Sequence, residues 1–187
     1  MFSVYFPLGF EHIVSLKGFD HLLFIVVLCA FYSVGQWRKL LVLLTGFTLG
    51  HSLTLALTAL QVVSFPAKWI ELLIPITILA TSILNVTNIR TEGHRFLPYL
   101  LATVFGLVHG CGFAGYFTMM LGDEGSIIEP LFLFNLGLEF GQITIVVLFY
   151  GAFWALTRFR SIESRDWNLF VSGAGAGLAI KLILEAI

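Results

Sequence analysis

Long runs of hydrophobic residues, separated by short polar connections, dominate the pattern of the chain. A helix needs about 20 residues to cross the hydrocarbon core of a bilayer. Runs near or above that length cover residues 20–35, 40–62, 66–88, 96–121, 128–155 and 167–186. They are too long and too continuous for the strands of an outer-membrane barrel, which show about ten residues of alternating polarity. The pattern therefore predicts an all-α integral membrane protein, a bundle of about six transmembrane helices.

The segment before the first run, residues 4–17, is too short and too polar to cross a membrane by itself. We expect it to lie at the membrane interface or to dip back into the bundle as a re-entrant segment. No linker or change of composition marks a second domain. Residues 1–187 are therefore predicted to form a single polytopic transmembrane domain.

The composition supports a membrane protein and narrows its partners. Hydrophobic residues make up 58% of the chain and charged residues 11%, which excludes a soluble globule with a polar surface. The lipid bilayer is thus an expected partner. The net charge is -1 and no basic run is present, so no nucleic acid is expected. Cys29 and Cys111 lie within hydrophobic runs and are predicted to pack as small apolar side chains.

The orientation follows from the lysines and arginines of the connections, which concentrate on the inner side of a membrane. One side carries Arg38, Lys39, Arg90, Arg95, Arg158, Arg160 and Arg165, and the other Lys17, Lys68 and Lys181. This bias predicts that both termini lie on the outer side of the bacterial inner membrane. The acidic connection GDEGSIIEP then also lies outside, where it would attract cations.

Polar and ionisable residues interrupt the hydrophobic runs, although each is costly in lipid unless it faces the bundle interior and finds a partner. Helical spacing places them in stripes on single helix faces. The second run carries His51, Thr54, Thr58 and Gln61, the third Glu71, Ser82 and Asn85, the fourth His109, and the fifth Asn135, Glu139 and Gln142.

The depths of these residues predict that they converge. At about 1.5 Å per residue, His51 and His109 lie roughly 18–21 Å from the inner surface, and Glu139 about 16 Å below the outer one. Patterns of the form GxxxG bracket His109 and Glu139 and would let backbones approach closely. A third such pattern covers residues 173–177. We therefore expect a polar site in the outer half of the bilayer.

Histidines and carboxylates together bind divalent zinc, nickel, cobalt or copper, whose identity the sequence leaves open. The candidate metal ligands are Asp20, His21, His51, His109 and Glu139. The residues predicted to support these ligands or to line the entry of the ion are Glu11, His12, Glu71, Ser82, Asn135 and Gln142. The two acid–histidine pairs of GFEHIVSLKGFDHLLF, residues 9–24, are predicted to be successive stations on one path for the ion.

Each of these residues also has a simpler explanation. Asp20 could cap the first predicted helix. Glu11 and His12 could be solvated residues at the interface. A single histidine in a span could be an interhelical hydrogen-bond partner. The joint occurrence of all of them at similar depth favours a metal site.

The motifs GFEHIVSLKGFDHLLF, GFTLGHSLTL, GLVHGCGFA and FNLGLEFGQ resemble the HupE/UreJ family of small bacterial membrane proteins, especially its second branch. The resemblance covers the first five predicted spans. It implies a nickel or cobalt permease associated with hydrogenase and urease gene clusters, with histidine motifs along the metal path. Asp20 with His21, and His109 with Gly110, match the motif positions.

The leading hypothesis is therefore a transporter or binding protein for a divalent transition metal. A second hypothesis is a zinc-dependent intramembrane hydrolase with Glu71 or Glu139 as the catalytic base. A third is electron transfer by a haem between His51 and His109, which the many carboxylates disfavour. Further partners that stay open are a second copy of the chain and a protein of metalloenzyme maturation.

Overall fold

The computed structural model describes residues 1–87, 96–122, 125–159 and 162–187. Within these ranges the chain is helical and contains no strand, which confirms the predicted all-α class. Two short 3₁₀ turns, Leu16–Gly18 and Val34–Gln36, flank the second helix. The α-helices are α1 (Phe2–Val14), α2 (Phe19–Phe31), α3 (Trp37–Ala59), α4 (Ala67–Thr87), α5 (Leu97–Leu121), α6 (Ile128–Phe159) and α7 (Ser164–Ala186).

Parts of the predicted connections lie outside the described residues. They include His94, the acidic residues Asp123 and Glu124, and the cations Arg90, Arg95 and Arg160.

Five helices, α3 to α7, are long and apolar enough to cross a membrane. The first predicted span is different. Helices α1 and α2 have only 13 residues each, about 20 Å apiece, and neither can cross a core of about 30 Å alone. Together they qualify as one span that is bent by 65°. The predicted span over residues 20–35 is therefore corrected to a bent pair that also includes the segment 4–17.

The contacts of this bent pair favour a broken span. At its start, the Tyr5 hydroxyl donates to the Met120 carbonyl near the end of α5, at 3.2 Å. Just beyond α2, the Tyr32 carbonyl accepts from Tyr150, in the second half of α6, at 2.8 Å. The pair thus follows α6 from one end of the bundle towards the other.

Glycines allow the closest helix contacts. Helix α3 packs mainly on α5, α1 on α6, and α4 on α7. A Cβ at Gly106 or Gly110 would overlap the backbone of α3, and one at Gly137 would overlap the backbone of α1. The third GxxxG pattern behaves differently, because a Cβ at Gly173 or Gly177 would meet no described atom within 4 Å. Two of the three predicted patterns therefore form packing contacts.

Candidate metal centre

Four histidines from four different helices meet inside the bundle. His12 lies near the end of α1, His21 in the first turn of α2, His51 in α3 and His109 in α5. The ring centroid of His21 lies 4.4 Å from that of His12, 5.6 Å from His51 and 4.8 Å from His109. The rings of His12 and His51 are 5.5 Å apart. His21 is therefore the common neighbour of the other three.

The break between α1 and α2 and the contact of α3 with α5 bring these rings together. Gly18 lies against the His12 carbonyl, where a Cβ would overlap that oxygen, so the chain can turn sharply there. Gly110 lies against the His51 backbone in the same way, and it directly follows His109. Residues with no side chain thus set the approach of α1 to α2 and of α3 to α5.

The donor atoms form two groups that could each hold a metal ion. One nitrogen each from His12, His21 and His51 lie within 4.8 Å of one another. A carboxylate oxygen of Asp20 and one nitrogen each from His21 and His109 meet the same limit. Nitrogen ligands of a tetrahedral zinc ion are about 3.4 Å apart, because each bond is about 2.0–2.1 Å long. Small side-chain rotations would therefore close either group around an ion.

Asp20 holds His21 in one orientation. Its Oδ1 accepts from the His21 ring at Nδ1, at 2.9 Å, and from the His21 backbone N–H, at 2.8 Å. An ionised carboxylate can only accept hydrogen bonds, so Nδ1 of His21 carries the proton. In the neutral ring, Nε2 then has a free lone pair. This is the carboxylate–histidine arrangement that orients metal ligands in proteins.

Several buried ring nitrogens lack any hydrogen-bond partner among the residues that the structure describes. They are His12 Nε2, His21 Nε2, His51 Nδ1, His51 Nε2 and His109 Nδ1. A buried polar atom without a partner costs about 1–3 kcal/mol, and such atoms are rare in folded proteins. Their concentration at one place makes this cluster the candidate ligand site.

Aromatic rings surround the histidine cluster. The shortest of these contacts join His12 to Phe113, at 3.9 Å between ring centroids, and His109 to Phe47 and Phe24, at 5.1 and 5.2 Å. Such packing fixes the imidazoles and lowers the local dielectric, which strengthens every electrostatic contact with a bound cation.

A cavity of about 1020 Å³ gives access to the cluster from one side. His12 and His21 line it, whereas His51 and His109 are 0% exposed and lie behind them. Carboxylates also line the cavity: Glu11, Asp20, Glu71 and Glu185. A cavity with these charges concentrates cations. An ion that entered this cavity would meet His12 and His21 before His51 and His109.

Glu139 does not join the histidines. Its carboxylate accepts from Thr45, at 3.4 Å, and belongs to a row of polar contacts between α3 and α6. We call this row the α3–α6 seam: Thr45, Thr48, Ser52, Asn135, Glu139 and Gln142. Asn135 and Gln142, predicted as outer partners, also belong to the seam. Glu139 lies in neither group of possible metal ligands within the described part of the chain.

The direction of Glu139 has a geometric reason. Gly137 and Gly141 face α1. Glu139 is two residues from each, which places it about 200° around the helix from that face. The sequence pattern GLEFG contained this information, since a glycine face that receives another helix points away from the acid between the glycines.

The structure also rearranges the other predicted residues. His12 and His21 lie side by side and not as successive stations, so His12 is part of the cluster and not only an entry group. His51 and His109 belong to different groups, which are joined through His21. The sequence analysis missed Glu185 on the cavity wall.

Two predicted residues of α4 lie away from the cluster. The Asn85 amide donates to the Val27 carbonyl and to Ser172, at 2.7 and 3.1 Å. Ser82 donates to the Ile78 carbonyl of its own helix. Both side chains are buried, and both follow the cluster along α4 towards the opposite end of the bundle.

Comparison with known proteins identifies a relationship over nearly the whole chain. The model of a protein family described as HupE / UreJ protein matches residues 1–184. Searches of curated proteins and of solved structures found no match. The comparison thus rests on the family match alone.

Proposed function

Because the chain belongs to the HupE / UreJ family, we propose that this multi-pass membrane protein is a permease for a divalent transition-metal cation. The observation that supports this most strongly is the set of unpartnered ring nitrogens in the histidine cluster. Imidazoles with one carboxylate suit nickel, cobalt, zinc and copper(II). The family name favours nickel or cobalt as the cargo.

The proposed path begins in the cavity, on the outer side of the membrane. Glu11, Glu71 and Glu185 on its wall attract the hydrated cation. His12 and His21 are the first nitrogen donors that the ion meets, and His51 lies behind them. Exchange of water for imidazole then moves the ion from the charged wall into the bundle.

His21 links the two groups, because it belongs to both of them. Asp20 occupies Nδ1 of His21, so only Nε2 is free to bind an ion. The two groups that share His21 therefore bind one ion at a time. An ion held by His12, His21 and His51 can pass to His109, whose ring centroid lies 4.8 Å from that of His21, while Asp20 stays on Nδ1 and keeps His21 oriented. Such weak, sequential binding is what transport requires.

The proposed exit follows α4. Below His109, buried polar side chains at Thr81, Ser82 and Asn85 continue along this helix, and Ser172 of α7 faces the last of them. The cavity opens on the opposite side, so release requires a rearrangement that exposes these groups. Broken helices at the depth of the site are common in transporters, and the bend between α1 and α2 lies next to the histidines.

The experiment that tests this function measures bound metal and uptake with the same protein. Purified protein is analysed for its metal content and then reconstituted into liposomes with radiolabelled nickel or cobalt outside. The His21→Ala variant, which removes the residue common to both groups, should lose the bound metal and reduce uptake to the level of empty liposomes. His94→Ala, in a predicted connection, is the matched control and should behave as the wild type. Wild-type uptake no faster than that of empty liposomes would contradict the proposal.

One observation keeps the hydrolase as a second candidate: Glu71 lines the same cavity as His12 and His21. A zinc ion on these histidines could activate water beside this carboxylate. Metal retained without uptake, together with hydrolysis of lipid or peptide substrates that is lost in Glu71→Gln, would favour this enzyme. Glu139 is not a candidate base, because it lies in the α3–α6 seam.

A further inference from the structure

Thr77 is the only described residue that forms a hydrogen bond with the ring of His109. It lies in the middle of α4 and is 5% exposed. Its Oγ1 is 2.9 Å from Nε2 of His109 and 2.7 Å from the carbonyl oxygen of Ile74. The two contacts share one hydroxyl group, so the position of its single proton decides the role of each partner.

The proton must point to Ile74. A carbonyl oxygen only accepts hydrogen bonds, and two oxygens 2.7 Å apart with no proton between them would repel each other. The hydroxyl oxygen therefore accepts from His109, and Nε2 of His109 carries the ring proton. A neutral imidazole has one such proton. Nδ1 is then a free lone pair, and it is one of the buried nitrogens without a partner among the described residues.

We infer that Thr77 is a positioning residue that fixes the tautomer of His109 and so presents Nδ1 to the cation. This inference rests on the proposed function, because the cation is the ligand that Nδ1 would bind. Thr77 does for His109 what Asp20 does for His21: each occupies one ring nitrogen and leaves the other free. Nothing in the sequence pattern links Thr77 to His109, which lies 32 residues away.

A tautomer held in advance increases metal affinity, because the ring does not have to move its proton or rotate when the ion arrives. Without Thr77, the Nε2 proton would be buried without an acceptor. The tautomer with the proton on Nδ1 would then compete with the tautomer that can bind the ion. Loss of such an outer partner typically weakens metal binding by about 10–100-fold. The same loss is expected here.

The chain offers a closely matched control in Thr81. It lies one turn further along α4, is 0% exposed, and donates to the Thr77 carbonyl at 2.8 Å. Within the described residues it forms no hydrogen bond with a histidine. Thr81→Val therefore removes a buried hydroxyl from the same helix without touching the tautomer of His109.

The experiment compares Thr77→Val, Thr77→Ser and Thr81→Val in the full-length protein, with nickel as the probe in competition titrations. Thr77→Val should raise the nickel Kd by about 10–100-fold, whereas Thr77→Ser and Thr81→Val should stay near the wild type. Equal weakening by Thr77→Val and Thr81→Val, or a failure of serine to restore affinity, would overturn the inference.

A second measurement separates this inference from the proposed function. Nitrogen NMR of histidine-labelled, metal-free protein reports which ring nitrogen of His109 carries the proton. Wild type and Thr77→Ser should show it on Nε2, and Thr77→Val should lose this preference. A wild-type protein with the proton on Nδ1 would refute the role of Thr77, even if transport is observed. Absent metal binding with the expected tautomer would instead refute the proposed function.

Discussion

The histidine cluster and the α3–α6 seam are two polar regions of the same bundle, and α3 contributes to both. In the seam, side chains bond across the interface: Ser52 to Asn135 at 2.6 Å, Thr48 to Gln142 at 3.3 Å and Thr45 to Glu139 at 3.4 Å. In the cluster, five ring nitrogens lack partners among the described residues. In the seam, the corresponding unpartnered atom is the amide nitrogen of Gln142.

The polar residues of the seam join two helices, whereas those of the cluster have nitrogens that are free to bind a ligand. Hydroxyl and amide groups in membrane helices commonly bond across an interface and contribute to helix association. Imidazoles packed against each other with free lone pairs contribute no such stabilisation and carry the cost of burial. Buried polar groups whose desolvation is not offset by hydrogen bonds within the protein are typical of functional sites in membranes. The comparison therefore supports the cluster as the proposed cation site and the seam as a contact between two helices.

The most severe test of this comparison is His21→Ala. His21 belongs to both groups, so its loss breaks both of them at once. We expect metal affinity to fall by more than about 100-fold, beyond the effect of losing an outer partner. Competition titration measures it, with His12→Ala as the comparison, since that variant leaves the group of Asp20, His21 and His109 intact. Equal losses in the two variants would contradict the sharing of His21.

A large effect is also expected from Gly110→Ala, because the new Cβ would overlap the His51 backbone and force α3 and α5 apart. Overpacking of this kind costs about 1–3 kcal/mol of unfolding free energy. The thermal inactivation temperature and the metal content should fall together. Gly115→Ala, on the same helix, is the control, since a Cβ there meets no described atom within 4 Å. Similar behaviour of the two variants would refute the close contact.

An intermediate effect is expected from Asp20→Asn. The amide oxygen can still accept from Nδ1 of His21, but the negative charge near the cation is lost. Metal affinity should fall by about 10-fold, and Asp20→Ala should lose more because the orientation of the ring is lost as well. Titrations of both variants with cobalt measure the difference. If Asp20→Ala and Asp20→Asn weaken metal binding equally, the hydrogen bond from Nδ1 of His21 to Asp20 contributes nothing to metal affinity.

The smallest effect is expected from Glu139→Gln in the seam. The side-chain oxygen can still accept from Thr45, and hydrogen bonds between membrane helices contribute only about 0.6 kcal/mol on average. Metal content and uptake should therefore stay at the wild-type level. A variant that folds normally but binds no metal would return Glu139 to the ligand set and remove the distinction between the two regions.

The length of each hydrophobic run predicted most of the fold. The runs 66–88 and 96–121 correspond closely to α4 (Ala67–Thr87) and α5 (Leu97–Leu121). The first run was the exception, because hydropathy measures how apolar a segment is and carries no information about a bend. A helix of 13 residues that continues another across a break has no signature of its own in such a pattern.

The site was predictable only in part, for a similar reason. Helical spacing identifies which residues share a face, and depth identifies which residues can meet, so His21, His51 and His109 were selected. Neither quantity gives the direction of a face relative to other helices. Glu139 was therefore placed with the histidines, and Thr77 was overlooked because threonine is common in membrane helices and carries no charge.

The partners of α1 have a consequence for the biogenesis of the protein. Tyr5 bonds to Met120, which is synthesised 115 residues later, and α1 packs mainly on α6. During translation, α1 cannot complete this packing until α2 to α6 have been inserted. The histidine cluster combines α1 and α2 with α3 and α5, so it can form only after His109 has been synthesised.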